Sequence, residues 1–322
     1  GILFFGNLRT STDFHTNLLI IAIYKYNIFS YYIMLVIGCS KGVHLASKIA
    51  KKLKASYSEL KVKKFPDGEI SIRLMSNVRG KTVVFVQSFY DNIDDLIVEI
   101  LFAADTAQEL GAKKIILAAP YFPYFRQDKR FKSGQCISIE IMARLIDKYF
   151  DKVIIVDPHL HREKDLSHLF NIKHHKLTSN HYIGRYIKKN FRNPLIVGPD
   201  WESYKWAKRV ADEIGCEYVI MEKKRISGRE VKVSLNKPVD LRNKNVILVD
   251  DIISTGNTII EAAKNFKKMG AKKFNCIAVH GIFVEKALEK LRKANVKVVT
   301  TNTIPNKVDK IDVSELIAEA LN

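Results

Sequence analysis

Cysteine is scarce in this 322-residue sequence, which contains four, all far apart along the chain. No two of them form a C-x-x-C pair, so their spacing suits neither a zinc site nor a dense disulfide framework. We therefore expect buried, reduced thiols and a cytoplasmic location. The four positions are Cys39, Cys136, Cys216 and Cys276.

Long hydrophobic runs are also missing. The longest one near the start covers seven residues, 18–24, whereas a membrane-spanning helix needs about 20. The start also lacks the basic segment and small-residue cleavage site of a secretory leader. Residues 1–33 are aromatic and irregular, and orderly patterning begins at Met34, a natural first residue. We predict an irregular N-terminal extension over 1–33 and no membrane partner.

Acidic residues are few, because 34 Asp and Glu stand against 53 Lys and Arg, giving a formal net charge of +19. This balance excludes an acidic, solvating chain and favours anionic partners such as phosphorylated small molecules, nucleic acid or anionic lipid. Lysine-rich surface segments such as Lys188-Lys189 explain the excess equally well. The sequence carries no recognised nucleic-acid-binding motif, so we expect no nucleic-acid partner.

Short β-branched apolar runs alternate with helix-length amphipathic segments from Met34 onward. Several runs, such as 82–86 and 245–249, are apolar at consecutive positions, as in strands covered on both faces of a parallel sheet. Between two such runs, 95–110 has apolar residues at helical spacing and is followed by a helix stop at Gly111. This alternation predicts an α/β fold.

An internal similarity predicts two related domains. The run 80–86 leads through a helical segment to the turn 111–114, and 243–249 leads in the same way to 270–273. Both turns read Gly-Ala-Lys-Lys. A tetrapeptide alone could recur by coincidence, so the matching strand–helix–turn–strand context carries the inference. We predict two similar doubly wound domains with parallel sheets.

The strongest chemical signal lies at 246–258. A buried run there ends in Asp250 and Asp251, and a Ser/Thr/Gly loop follows and opens a helix at 259–269. Backbone N–H groups at a helix start, with nearby hydroxyls, bind anions, and Gly256 allows close backbone approach. Two carboxylates would repel a phosphate unless they contact sugar hydroxyls or a metal. A plain Asp-rich turn with a Ser or Thr helix cap is the weaker alternative.

Three further segments accompany this loop. A Pro-Asp-Gly turn at 66–68 precedes an alternating run and predicts a β-hairpin. The loop 121–130 is rich in aromatic and guanidinium groups, which can stack on a base and clamp a triphosphate. His159 follows the apolar run 153–156. A hairpin or a histidine that stands alone is more often structural, so these segments gain weight only together.

Together the four segments resemble ribose-phosphate diphosphokinases, in that family's order and from Met34 to the C-terminus, with most similarity to the archaeal branch. Ordinary phosphoribosyltransferases share only the Asp-pair loop. The resemblance implies two phosphoribosyltransferase-like domains and a protruding β-hairpin around 63–73, the flag. It also implies Mg²⁺-dependent transfer of the diphosphoryl group of ATP to the 1-hydroxyl of ribose 5-phosphate, giving 5-phosphoribosyl 1-diphosphate and AMP.

The resemblance assigns a role to each matching position. Lys223 and Arg225 are the expected catalytic cations, and the loop 224–229 is predicted to become ordered only when substrates bind. His159 and Asp200 are the expected metal-binding residues. The expected ATP-binding residues are Phe65, Asp67, Glu69, Arg126 and Gln127. The expected ribose-5-phosphate-binding residues are Asp250, Asp251, Ser254, Thr255, Gly256, Asn257 and Thr258.

Domain boundaries and assembly also follow from the resemblance. It implies an ATP-side domain over 34–178 plus 303–322 and a ribose-5-phosphate domain over 179–302. It implies a homo-oligomer, because the family's adenine site is completed by the flag of another chain. Two alternatives stay open: a base-specific phosphoribosyltransferase, which would consume this product, and a non-catalytic regulatory relative. The first leaves the flag and the Arg126-Gln127 segment unexplained, and the second leaves the retained cations and acid pair unexplained.

Overall fold

The computed structural model describes residues 34–160, 165–201, 203–225 and 231–322, with the backbone alone at 223–225 and 231–233. The predicted extension 1–33 lies outside the described residues.

The first half of the described chain forms a seven-stranded sheet in the order β3-β2-β1-β4-β5-β6-β7. Strands β2 and β3 pair antiparallel as a hairpin, and the other neighbours pair parallel. Their bounds are β1 Met34–Gly38, β2 Ser56–Lys64, β3 Ile70–Leu74, β4 Thr82–Val86, β5 Lys114–Ala119, β6 Lys152–Val156 and β7 Lys173–Leu177.

A second seven-stranded sheet has the order β10-β9-β8-β11-β12-β13-β14. Strands β9 and β10 are its antiparallel hairpin, and the other neighbours are parallel. Their bounds are β8 Pro194–Gly198, β9 Glu217–Arg225, β10 Val231–Leu235, β11 Asn245–Ile253, β12 Lys273–Gly281, β13 Lys297–Thr301 and β14 Asp309–Ile311.

Helices connect most of the parallel strands. Two helices end as the sequence predicts, because Gly111 and Gly270 follow them with φ of +84° and +94°, which glycine adopts at little cost. The helix bounds are α1 Val43–Leu53, α2 Ile93–Glu109, α3 Ser138–Tyr149, α4 Asn180–Asn190, α5 Tyr204–Ile214, α6 Asn257–Lys268, α7 Ala287–Lys293 and α8 Ser314–Leu321.

The two sheets have the same topology, strand for strand. The segment β4–α2–β5 carries the first Gly-Ala-Lys-Lys turn, and β11–α6–β12 carries the second at the equivalent place. The prediction of two similar doubly wound domains is confirmed. The flag corresponds to the hairpin β2–β3, and its topological equivalent in the second domain is β9–β10.

Buried side chains form three clusters. One lies between the first sheet and helices α2 and α3, and another lies between the second sheet and helices α6 and α7. The third is shared, because it joins inward residues of both sheets with residues of α1, α4, α5 and α8. The domains are therefore held together by a common apolar core, which fixes the sheets relative to each other.

The end of the chain contributes to both domains. Strand β14 extends the second sheet by pairing with β13, whereas the final helix α8 packs against α1 and β7 of the first domain. Ion pairs connect Lys48 of α1 to Asp312, just before α8, and Lys52 of α1 to Glu315 on α8. Strand pairing thus assigns 309–311 to the second sheet, and the boundary at 303 stays a prediction.

A membrane-spanning helix must be both long and apolar. No helix within the described ranges is both long enough and apolar enough to cross a bilayer.

The shared core predicts that the C-terminal helix is needed for the stability of the first domain. Ile317 on α8 is only 1% exposed. We expect Ile317→Ala to lower the free energy of unfolding by about 2–5 kcal/mol, because the substitution removes buried methyl groups and leaves a cavity. Urea denaturation measures this change. The control Glu319→Ala, on the exposed face of the helix, should cost less than about 0.5 kcal/mol.

Candidate active site

The acid pair lies on strand β11, which is longer than predicted. The expectation that the strand ends at Asp250 and Asp251 is wrong, because its pairing with β12 continues as far as Ile253. On the other side, pairing with β8 stops at Leu248. Asp250 and Asp251 therefore lie beyond the end of one neighbouring strand, at the carboxyl edge of a parallel sheet where ligands commonly bind.

The loop after the acid pair opens helix α6 two residues earlier than predicted, at Asn257. Gly256 is the N-cap residue, its φ is +75°, and no side chain of the described residues caps the helix. An added Cβ would lie 3.1 Å from Leu291, so space as well as conformation favours glycine here. The Ser and Thr hydroxyls are therefore not the helix cap, and the capping alternative loses its support. The backbone N–H groups at the N-terminus of α6 can bind an anion.

A hydrogen bond links the two domains at the centre of the site. His159, which follows β6, makes it through its Nδ1 to a carboxylate oxygen of Asp251 on β11. Both side chains are partly exposed, His159 by 20% and Asp251 by 29%. The sequence places these residues 92 positions apart, and the fold brings them into contact.

The two neighbouring aspartates differ in acidity. Burial, and then the charges of Asp251 and Asp200, raise the pKa of Asp250 well above its ordinary value. Burial also opposes ionisation of Asp251, but the hydrogen bond and charge of His159, with the charge of His280, lower the pKa of Asp251 overall. Asp251 is therefore the anionic partner of His159, and Asp250 is the carboxyl group that more readily holds a proton.

The acid pair lines a cavity of about 370 Å³, which we call the acidic cavity. The carboxylate of Asp200 reaches it from the end of β8, and that carboxylate also accepts the backbone N–H of Ser203 at 2.9 Å. Two cations, Lys176 and Arg209, line it as well. Its lining includes Asp157, Pro158, His159, Lys176, Asp200, Ser203, Trp206, Arg209, Asp250 and Asp251.

A second cavity, of about 320 Å³, lies beside the loop 121–127 and is called the aromatic cavity. Pro158 and His159 line both cavities, so the two adjoin at this segment. The Tyr121 ring lies 4.9 Å from the ring of His280 on β12. The lining includes Tyr121, Phe122, Tyr124, Phe125, Arg126, Gln127, Ser254 and His280.

The residues assigned to each ligand from the sequence do not all lie together. Of the ribose-5-phosphate set, Asp250 and Asp251 line the acidic cavity, Ser254 lines the aromatic cavity, and 255–258 line neither. Of the ATP set, Arg126 and Gln127 line the aromatic cavity, whereas the flag turn lines neither. The flag residues are exposed, and Phe65 keeps 38% of its surface accessible beside the Lys63 ammonium group.

The expected catalytic cations lie on strand β9. Lys223 pairs with Val233 and Arg225 with Val231, so the expectation that the loop begins before Arg225 is wrong. The reason is that antiparallel pairing with β10 continues to that residue. The side chains of both cations and residues 226–230 lie outside the described part of the chain. Their ordering by substrate stays a prediction.

Several residues at the site were not found from the sequence. Lys176 and Arg209 come from β7 and α5 and carry no recognisable motif. Trp206 lines the acidic cavity, and its buried indole N–H has no hydrogen-bond partner among the described residues. His280 lies between the domains. Trp206 and Arg209 are three residues apart and share a face of α5, which helical spacing could have indicated, and no sequence signal indicated the others.

Comparison with known proteins identifies relatives of the whole described region. Residues 34–149 match the N-terminal domain of ribose phosphate pyrophosphokinase, and 166–317 match the phosphoribosyl transferase domain. The ribose-phosphate pyrophosphokinase of Pyrococcus abyssi is 38% identical over 289 residues, covering 89% of this chain and 98% of the relative. That of Sulfolobus acidocaldarius is 37% identical over 294 residues, covering 89% and 100%.

A solved structure shows the same architecture. The phosphoribosylpyrophosphate synthetase from Mycobacterium smegmatis is 26% identical, with a TM-score of 0.78, over 89% of this chain and 97% of that one. Fold and site therefore define an enzyme built from two phosphoribosyltransferase-type domains. The chain belongs to the ribose-phosphate pyrophosphokinase family, whose members form phosphoribosyl diphosphate, and the resemblance inferred from its motifs is confirmed.

His280 predicts a pH dependence of stability. Burial lowers the pKa of His280 from 6.5 to about 4. Between those values the unfolded chain takes up a proton that the folded protein excludes, so stability falls as the pH falls from 6.5 towards 4. The expected loss is about 3 kcal/mol.

The measurement is urea unfolding of the parent protein and His280→Gln at pH 7 and pH 4. At pH 7 the parent should have the higher free energy of unfolding, and its difference from the variant should be about 3 kcal/mol smaller at pH 4. Thr300→Val removes a buried hydroxyl that accepts a hydrogen bond from Asn306 and none from the His280 network, and its cost should be the same at both pH values. A difference between parent and His280→Gln that does not vary with pH contradicts the prediction.

Proposed function

We propose that this chain transfers the diphosphoryl group of ATP to the 1-hydroxyl of ribose 5-phosphate, with Mg²⁺, giving 5-phosphoribosyl 1-diphosphate and AMP. The observation that carries the proposal is the adjacency of two cavities of different chemistry. One is lined by carboxylates and the other by aromatic rings and a guanidinium group, and both include His159. A donor and an acceptor could meet at this shared wall.

The acidic cavity is the proposed ribose side. Asp250 and Asp251 suit the sugar hydroxyls, because carboxyl groups accept hydrogen bonds and Asp250, with its raised pKa, can also donate one. Ser254, on the wall of the adjoining aromatic cavity, and the N-terminus of helix α6 suit the 5-phosphate, because backbone N–H groups and a left-handed Gly256 are available there. The acid pair then contacts the sugar and the loop contacts its phosphate, which avoids charge repulsion.

The aromatic cavity is the proposed nucleotide side. Its rings can stack on a base, and Arg126 and Gln127 can contact the phosphates. The Gln127 amide already donates to the carbonyls of Lys129 and Cys136 at 3.3 and 3.4 Å, which positions the loop. The exposed flag turn lines neither cavity, and its exposure suits a contact with the adenine bound to another subunit of a homo-oligomer.

The donor set around His159 fits Mg²⁺ held with few protein ligands. Among the described residues, no group of three or more His, Cys, Asp or Glu side chains is arranged to hold a metal ion. Mg²⁺ commonly uses one or two carboxylates, substrate phosphates and retained waters. We assign it to His159 and Asp200, which both line the acidic cavity. When bound, the ion would neutralise charge on the phosphate oxygens.

The chain's own contribution to the reaction is positioning and charge stabilisation. The ribose 1-hydroxyl must approach the β-phosphorus in line with the departing AMP. Negative charge then develops on the transferred oxygens and on the α-phosphate of the leaving group. Lys223 and Arg225, near the end of the hairpin β9–β10, are the proposed cations that meet this charge.

Formation of AMP without a nucleobase tests the proposal. ATP, ribose 5-phosphate and Mg²⁺ are mixed with the protein, and AMP is quantified with each component omitted in turn. The proposal expects AMP only in the complete mixture. A base-specific phosphoribosyltransferase would form no AMP here and would instead consume 5-phosphoribosyl 1-diphosphate with a base. A non-catalytic relative would do neither.

Substitution of Lys223 tests the catalytic cation. We expect Lys223→Ala to bind ATP nearly as well as the parent but to turn over about 10²- to 10³-fold more slowly, because the lost charge acts mainly in the transition state. Isothermal titration and steady-state kinetics separate the two effects. Lys237→Ala removes an exposed positive charge soon after the same hairpin and should leave turnover unchanged. Turnover of Lys223→Ala within a few-fold of the parent would show that the assigned role is wrong.

Substitution of Asp251 tests the ribose assignment. We expect Asp251→Asn to weaken binding of ribose 5-phosphate more than binding of ATP, because the carboxylate lines the acidic cavity and not the aromatic one. Titration of each ligand into the metal-free protein gives the two dissociation constants. Equal losses for the two ligands count against the assignment.

A further inference from the structure

Asp157 has an unusual backbone conformation at the centre of the site. Its φ is +37°, in the left-handed region that residues other than glycine rarely adopt. The next residue is Pro158, and a residue before proline normally takes an extended conformation. Such a conformation costs free energy and persists only where surrounding contacts impose it, most often at functional sites.

Contacts from three elements impose this backbone conformation on Asp157. The Asp157 N–H donates to the carbonyl of Leu177 at the end of β7, at 2.9 Å. The Asp157 carboxylate accepts the backbone N–H of Ser179 at 2.7 Å and the Ser179 hydroxyl at 2.6 Å. The Asp157 carbonyl accepts from Nε2 of His280, on the second sheet, at 3.2 Å.

Two of these partners, Ser179 and His280, are themselves buried and fixed. Ser179 is fully buried, and His280 is 1% exposed with its Nδ1 2.9 Å from the Thr303 hydroxyl. Buried hydrogen-bonding groups are costly to leave unpaired, so the three contacts are retained together. The Asp157 backbone is thus tied both to its own sheet and to the opposite domain.

The Asp157 conformation affects the orientation of His159, two residues further along the chain. Pro158 restricts its own φ, so the direction of the chain into His159 depends strongly on the Asp157 conformation. We propose that Asp157, held by Ser179 and His280, is a positioning residue that presents His159 to Asp251 and to the wall shared by the two cavities. The proposal deepens the function proposed above and rests on it for the role of His159.

Substitutions at position 157 separate conformation from charge. Asn tolerates the left-handed region and keeps one side-chain acceptor. Gly tolerates the region but has no acceptor. Ala disfavours the region and also has no acceptor. We expect turnover to decrease in the order Asn, Gly, Ala, with Asp157→Ala about tenfold to hundredfold below the parent and the KM for ATP within about twofold.

Substitutions at position 179 test the hydrogen bond from Ser179 to the Asp157 carboxylate with less risk to folding. Ser179→Ala removes the hydroxyl and keeps the backbone N–H, and we expect about threefold to tenfold slower turnover. Ser179→Thr keeps the hydroxyl and should restore the rate. The matched structural control is Asp147→Ala, because the Asp147 carboxylate accepts three hydrogen bonds from Asn171 and Ile172 but lines neither cavity. It should lower thermal stability and leave turnover unchanged.

Two readouts distinguish positioning from general loss of structure. In a double-mutant cycle, Ser179→Ala should have no further effect on turnover once His159→Ala is present, because it acts through that side chain. In the metal-free protein, the imidazole N–H of His159 that contacts Asp251 should give an exchange-protected NMR resonance. The resonance should persist in Asp147→Ala and be lost in Asp157→Ala, or in Ser179→Ala if Asp157→Ala does not fold.

The proposal is overturned by any of three results. These are additive effects of the position-179 and position-159 substitutions, an unchanged His159 resonance in Asp157→Ala (or in Ser179→Ala if Asp157→Ala does not fold), or equal turnover of the Asn and Ala variants at 157. The NMR readout needs neither substrate nor metal. If the parent protein forms no AMP, the proposed function fails, while the resonance still decides whether Asp157 orients His159.

Discussion

The hydrogen bond between His159 and Asp251 is the contact on which the site depends. It joins the end of β6 in one domain to β11 in the other, and the acidic and aromatic cavities meet beside it. Its geometry requires that the two sheets keep a fixed relative position, because a hydrogen bond weakens steeply with misalignment. The apolar cluster shared by both domains provides that rigidity.

Two domains of one topology have acquired different surfaces at equivalent places. The antiparallel hairpin of the first domain has an exposed turn with an aromatic side chain, whereas strand β9 in the hairpin of the second ends in the basic residues 223–225. The apolar strands and the glycines that end the helices are what the domains share. The fold repeats because packing and turn chemistry repeat. The chemistry differs because it depends on residues near the carboxyl ends of strands and in loops, where packing of the core constrains residue type least.

The charge of the chain gives little information about the location of the site. The sequence has a net charge of +19, yet carboxylates of Asp157, Asp200, Asp250 and Asp251 line the acidic cavity. The excess of lysines is spread over exposed helix ends and strand edges, as in the last turns of α1, α4 and α6. Local burial and pairing set the electrostatics of the cavity, and net charge describes only the surface as a whole.

The sequence by itself determined the α/β class, the repeated domain, the hairpin and the Asp-pair loop, because these follow from short-range periodicity and turn chemistry. It placed the end of β11 and the start of the expected mobile loop too early, because the extent of a strand depends on its partners in the sheet. Only the tertiary structure brought Asp157, Ser179 and His280 together and added Lys176 and Arg209 to the cavity. These residues come from separate elements, and their contacts arise from domain packing, which no local pattern encodes.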